Sequence, residues 1–337
     1  MEPMANKKEC NSCEQFKTMI GGQALIEGIM MRGPQRDAIV CRTKDGLTLE
    51  VSDRKLPKEG SLLKLPLIRG VVNFFDSQVT GVKALLRSAD LSPDEEFSGE
   101  PSKLDIWLEK KLGNEKFQQF LIYSAAILGL LMSIGLFFLL PMIVGGFFDG
   151  VVKSMVGINL IEGLVRMVIF SAYMILISRM GEMKRLFAYH GAEHKTIRCY
   201  EARLPLTVEN VRTQTRLHPR CGTSFLLVVM ILSILVFSVA SSALLELVPA
   251  LEAIRGSFGY RLIMIAFKLL LLPVVVSIAY EINRWVGRTD NALTRLLTAP
   301  GLWMQHFTTN EPDDDMIEVA IAAVNAVLPE QEGADEW

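Results

Sequence analysis

The chain has 337 residues, half of them hydrophobic, and a mean hydropathy of +0.31. Its formal net charge of −2 creates no global field of the kind that draws nucleic acid, so nucleic acid is excluded as an expected partner. The apolar residues are gathered in blocks, which sets aside an ordinary water-soluble domain and points to a mostly α membrane protein.

Residues 1–19 are polar, without an apolar run, and read as a disordered N-terminus with no cleaved export signal expected. Cys10 and Cys13 have CxxC spacing but no second pair, while Cys41, Cys199 and Cys221 are scattered. Such a set fits thiols kept reduced in the cytosol. Residues 20–60 read as a small β-rich module, in which strands at 38–42 and 47–51 flank the hairpin signal Lys44-Asp45-Gly46. Ahead of it, the stretch from Gly21-Gly22 through Gly28 to Gly33-Pro34 has neither the Walker nor the dinucleotide spacing, and its glycines read as turn residues.

Residues 61–120 hold amphipathic helices and a linker. Within 62–87, Ile68, Val71, Val72, Phe75, Val79, Val82 and Leu86 recur at helical period, giving a helix that either lies in the headgroup region or covers the β-module. Residues 88–102 have linker composition, and 103–112 form a short amphipathic helix leading to the membrane.

A membrane domain follows at 121–282, with spans at about 121–148, 163–178, 224–248 and 262–282. The second carries Arg166 near one end. The fourth carries Lys268 and a kink expected at Pro273. The loop 181–223 is rich in Lys and Arg, whereas the turns near 149–162 and 249–261 carry only Lys153, Arg255 and Arg261. Positive charge stays inside, so both termini and the 181–223 loop are expected in the cytosol, with the protein in the cell (inner) membrane. In the C-terminal part, 283–337, a helix reaches Pro300; Thr308-Thr309-Asn310, Pro312 and Asp313 to Asp315 then open a second helix, ending near Leu328 before an acidic tail. Membrane lipid is the expected partner, with residues 20–60 and 313–328 available to recruit a cytosolic protein. No internal repeat supports a transporter, for which Lys268 is the intramembrane hint.

The chain has four histidines, and His190-Gly191-Ala192-Glu193-His194 uses two of them. Positions i and i+4 share a helix face, so both imidazoles can reach one divalent ion, most naturally zinc, with Glu193 beside it to activate a bound water. This is the inverted form of the His-Glu-x-x-His metallopeptidase signature. If the second span continues as a helix, Met183, Leu186, Phe187, His190, Glu193, His194, Ile197 and Glu201 form one packed stripe. His190 then stands roughly 15–18 Å beyond the span, unless the helix bends near Gly181 or Gly191. The third ligand is open among Glu281, His218, Cys221 and Glu201. A carboxylate would leave an open position and imply catalysis; His218 and Cys221 together would close a structural tetrahedron. The expected activity is metal-dependent hydrolysis of a peptide or lipid-linked substrate, with a non-catalytic scaffold or regulator and a transport component as alternatives.

The chain resembles the YqhQ family of bacterial membrane proteins from Gly21 to about Val327. The matching stretches are Gly22-Gln23-Ala24 through Glu27 to Pro34, Tyr189 to Lys195, and His218-Pro219-Arg220-Cys221-Gly222-Thr223-Ser224, with Gln305, Thr308-Thr309, Glu311-Pro312-Asp313 and Glu318. The resemblance implies a multi-pass membrane protein described as a predicted metal-dependent enzyme, and names no substrate.

Overall fold

The structure, a computed structural model, describes residues 16–54, 60–91, 124, 127–148, 150–152, 154–289, 291–331 and 333–336. The Cys10–Cys13 pair, most of the 88–102 linker and the helix expected at 103–112 lie outside these residues.

Strands β1 (Gly21–Leu25), β2 (Gly28–Arg32), β3 (Arg36–Thr43) and β4 (Gly46–Asp53) form an antiparallel meander in chain order. The hairpin closes as its sequence requires, with Thr43 opposite Gly46 and Gly46 at φ +117°. Gly22 and Gly28, read above as turn residues, instead lie within strands. A Cβ on Gly28 would stand 2.5 Å from the Val40 carbonyl oxygen, so its value is close approach.

The helices are α1 (Ile68–Leu91), α2 (Ile127–Gly146), α3 (Met155–Ile177), α4 (Gly181–Glu201) and α5 (Val208–Arg212). They continue with α6 (Gly222–Leu247), α7 (Phe258–Arg288), α8 (Ala292–Thr308) and α9 (Asp314–Val327). Among the described residues, four helices are long and apolar enough to cross a membrane: α2, α3, α6 and α7. The protein is thus a mostly helical membrane protein with a small N-terminal sheet.

Helix α3 begins at Met155, well before the boundary expected near Gly163. The added first part contains Asn159 and Glu162, and both are buried in the bundle. Lys268 of α7 forms an ion pair with Glu162, and Arg166 lies inside the bundle. Its Nε donates to the Phe137 carbonyl at 2.7 Å, and Nη1 to Ser233 Oγ at 3.2 Å. Phe137 belongs to a π-helical stretch of α2, Gly135–Leu139, whose looser turn can release a carbonyl. Helix α7 runs through Pro273 without an interruption.

The sheet sits at the end of the bundle where α3 finishes and α6 begins. One face, with Ile29, Met31, Ala38 and Val40, packs on α4 and on Met316, Val319, Ala320, Ala323 and Val324 of α9. The apolar face of α9, within the 313–328 segment expected to recruit a partner, is therefore buried inside the molecule. The other face of the sheet presents Leu25 and Met30 to Ala84 of α1.

Helix α1 covers the sheet and also meets α7. Its buried positions are Gly70, Gly81, Ala84 and Ser88, while Phe75, Val79, Val82 and Leu86 of the apolar stripe are exposed. Small residues allow close helix contact, leaving the large apolar side chains to face the surroundings.

Candidate metal centre

Helix α4 does not continue α3. Met180 between them is extended, at φ −70° and ψ 140°, and the chain folds back across the span ends. Consequently the motif is not a lone projecting stripe: from Phe187 to Cys199 nearly the whole circumference of α4 is buried. The return segment after α8 crosses it at Gly191, where a Cβ would come within 2.0 Å of the Asn310 carbonyl oxygen. Asn310 N–H donates to the Phe187 carbonyl at 2.8 Å, which fixes this crossing.

The crossing positions the histidines. His190 Nδ1 lies 2.7 Å from the Thr308 carbonyl and His194 Nδ1 lies 2.6 Å from the Arg216 carbonyl. A carbonyl only accepts, so each Nδ1 carries the proton. A cation held by these rings would therefore be bound through Nε2. The His190 Nε2 is 3.2 Å from Cys221 Sγ, and the two rings stand edge to face with centroids 4.3 Å apart. One donor atom from each of His190, His194 and Cys221 lies within 4.8 Å of the others. Thr223 Oγ1, 3.2 Å from Cys221 Sγ, can donate to a thiolate there.

Charge follows this geometry. Burial alone would raise the Cys221 thiol, but His190 and His194 pull it well below the usual thiol range. Burial opposes a proton on His190 as well, yet the Cys221 charge raises that imidazole to about 9. Two imidazole nitrogens and a thiolate suit a borderline-soft cation such as zinc, and the two carbonyls are the outer partners that orient ligating histidines.

Glu193 is buried beside these groups and is not one of the three converging donors. Its Oε1 accepts from the Gly22 N–H at 2.9 Å. Burial raises its pKa, against the lowering effect of the two histidines. A Cβ on Gly22 would meet the Met30 carbonyl oxygen at 2.5 Å and the Glu193 carboxyl carbon at 3.2 Å, so β1 and α4 touch here through a bare backbone.

His218 is also brought near, its ring centroid 5.6 Å from that of His194, but it does not join the three donors. Its Nε2 faces Glu201 Oε2 at 3.4 Å. Burial lowers this imidazole to about 4 despite that carboxylate, so it is neutral. Glu201 is itself bonded by Arg220 and by the Thr18 N–H. Gln305 clamps the His218 backbone, accepting from its N–H at 2.8 Å and donating to its carbonyl at 2.8 Å.

Glu281, weighed above as the third ligand, is not brought to the histidines. Its carboxylate is ion-paired with Arg69, tying α7 to α1. Sequence reasoning did not find the Thr308 and Arg216 carbonyls, because a backbone acceptor leaves no mark on residue type. It also missed Gly22 as the partner of Glu193.

The family model described as "Protein of unknown function (DUF1385)" matches residues 65–330. "Uncharacterized protein YqhQ" of Bacillus subtilis (strain 168) is 32% identical over 312 residues, covering 91% of this chain and 92% of that protein. No solved structure matches the chain.

Proposed function

The chain belongs to the DUF1385 family, that of YqhQ, and we propose that in it His190, His194, Cys221 and Glu193 form a metal-dependent hydrolytic centre at the cytosolic face of the bacterial inner membrane. The observation that carries this reading is the convergence of three donor atoms within 4.8 Å, with both imidazoles held by carbonyls so that Nε2 is the free nitrogen. Three protein ligands leave a position for substrate or water, as in catalytic zinc sites. A cation held there supplies Lewis acidity and makes water a better nucleophile near neutral pH.

The chain's own residues divide the remaining work. Glu193, fixed by the Gly22 N–H and with its pKa raised by burial, is the general base and then the proton donor to the leaving group. Neutral His218, turned to Glu201, stays outside the ligand set and favours an open centre over a closed structural one. The proposed cytosolic side rests on the Lys and Arg of the 181–223 loop. The proposed substrate is peptide or lipid-linked, because the centre stands at the ends of spans.

Metal analysis of the purified protein tests the proposal. Wild type is expected to hold about one equivalent of zinc or a similar divalent ion. His190→Ala, His194→Ala and Cys221→Ser lose it, while Glu193→Gln keeps the metal and loses the cellular phenotype of a deletion strain. A wild type that remains metal-free after zinc is supplied ends the hydrolase reading. An active Glu193→Gln variant would make the metal structural.

A further inference from the structure

A cavity of about 460 Å³ lies between the C-terminal ends of α4 and α7 and one side of α8. That is the size of a small-molecule site. Among the described residues lining it are the cations Lys17, Arg198, Arg220 and Arg295, against one carboxylate, Glu201. Glu201 is already engaged by Arg220 and His218. Arg198 directs its Nε and Nη2 to the neutral Leu217 carbonyl at 2.9 and 2.8 Å, and shares Glu201 as a nearby countercharge with Arg220. Thr294 and Thr298 add hydroxyls to the wall, and Val286 and Leu302 give it an apolar edge. Among the described residues the lining therefore carries more cationic than anionic side chains, with an apolar border.

Its depth relative to the bilayer can be read from the neighbouring surface. Trp285, one turn before the end of α7, and Trp303 on α8 are 39% and 53% exposed, as in an interfacial aromatic belt. Leu293 and Leu296 extend the exposed apolar stripe of α8, the pattern of a helix lying in the headgroup plane. The cavity lies along this helix, so a helix in the headgroup plane would hold it near the lipid phosphates. Its wall Pro219-Arg220 leads directly into Cys221, and the His218–Glu201 pair separates it from His194.

We infer that this cavity binds the phosphate of an anionic membrane lipid, with the headgroup inside and the acyl chains leaving along the apolar face of α8. As a substrate site it rests on the metal-centre reading and narrows it to phosphate-bearing lipids. As a binding site it does not depend on metal.

Native mass spectrometry of the full chain in detergent tests the inference, with phosphatidylglycerol, phosphatidylcholine and inorganic phosphate as probes. Wild type is expected to retain phosphatidylglycerol over phosphatidylcholine by at least about tenfold, and Lys17→Gln/Arg295→Gln to lose most of that preference. Lys17→Arg/Arg295→Lys restores it, which separates charge from folding. Retention persists in chelator-treated wild type, so a failed metal centre and a failed lipid site give different results. Equal retention of both lipids, undiminished preference in the glutamine variant, or binding of inorganic phosphate without either lipid overturns the inference.

Discussion

Two backbone carbonyls decide which nitrogen each paired imidazole offers, and only the fold supplies them. The spacing of His190 and His194 announced a shared face, and His218 and Cys221 stood out as neighbours in one short motif. What separated Cys221 from Glu281 was tertiary: the Arg69 guanidinium of α1 engages Glu281, while Cys221, at the start of α6, lies against His190. His218 gives a residue-scale prediction. Its folded pKa of about 4 lies below the ordinary 6.5 because burial disfavours the imidazolium, and the charged groups around it are Glu201 and Arg220, with His194 alongside. The unfolded chain therefore binds more protons between these values, so stability rises with pH there. The contribution is complete above about 6.5 and is lost as pH falls towards 4. Thermal melts of chelator-treated protein should show Tm falling across this window, and His218→Gln should flatten the fall. A variant curve that drops as steeply as wild type would assign the acid sensitivity elsewhere.

Among the elements, the hairpin and the spans were readable because their signals are local: Lys44-Asp45-Gly46 sets a turn, and unbroken apolar runs set the crossing helices. Helix α3 extends further back than the apolar run from Gly163, through Asn159 and Glu162, because a polar group in a span is tolerated when it is held inside the bundle. The buried Glu162–Lys268 pair, with Arg166 one turn along from Glu162, makes a testable element. Removing one partner of such a pair costs on the order of 3–5 kcal/mol, because the other charge is left buried alone. Glu162→Gln should be the more damaging change, since it strands two cations, whereas Lys268→Met leaves Glu162 beside Arg166. The double variant Glu162→Gln/Lys268→Met should recover part of the loss. Unfolding in detergent, monitored by circular dichroism, measures all three, and additive losses would show that the pair is not coupled. Helix α1 teaches the converse lesson: periodicity identified its apolar stripe but left two neighbours open, the headgroup region and the β-module. Gly70 and Gly81, too small to enter a hydrophobic pattern, are the residues that pack.

At the scale of the whole molecule, the parts form one arrangement. The ends of α3, α6 and α7 carry the sheet, α4 and the return segment, so the candidate centre is built where soluble and membrane parts meet. The exposed apolar residues of α1 and α8 extend the lipid-facing surface of the spans sideways into the interface. The centre and the lysine- and arginine-rich loop share one side of the bundle, and the turn between α2 and α3 lies on the other. Sidedness is therefore a single binary question, and the cytosolic side proposed for the centre rests on the positive charge of that loop. Introduced cysteines can answer it. Val151→Cys in the turn and Glu209→Cys on α5 replace exposed residues with no role in the proposed site. In intact spheroplasts, a membrane-impermeant maleimide should add label to Val151→Cys beyond the wild-type background, and to Glu209→Cys only after lysis. The opposite pattern would turn the centre outward, where a reduced thiol ligand is hard to maintain, and would remove the cytosolic hydrolase with it.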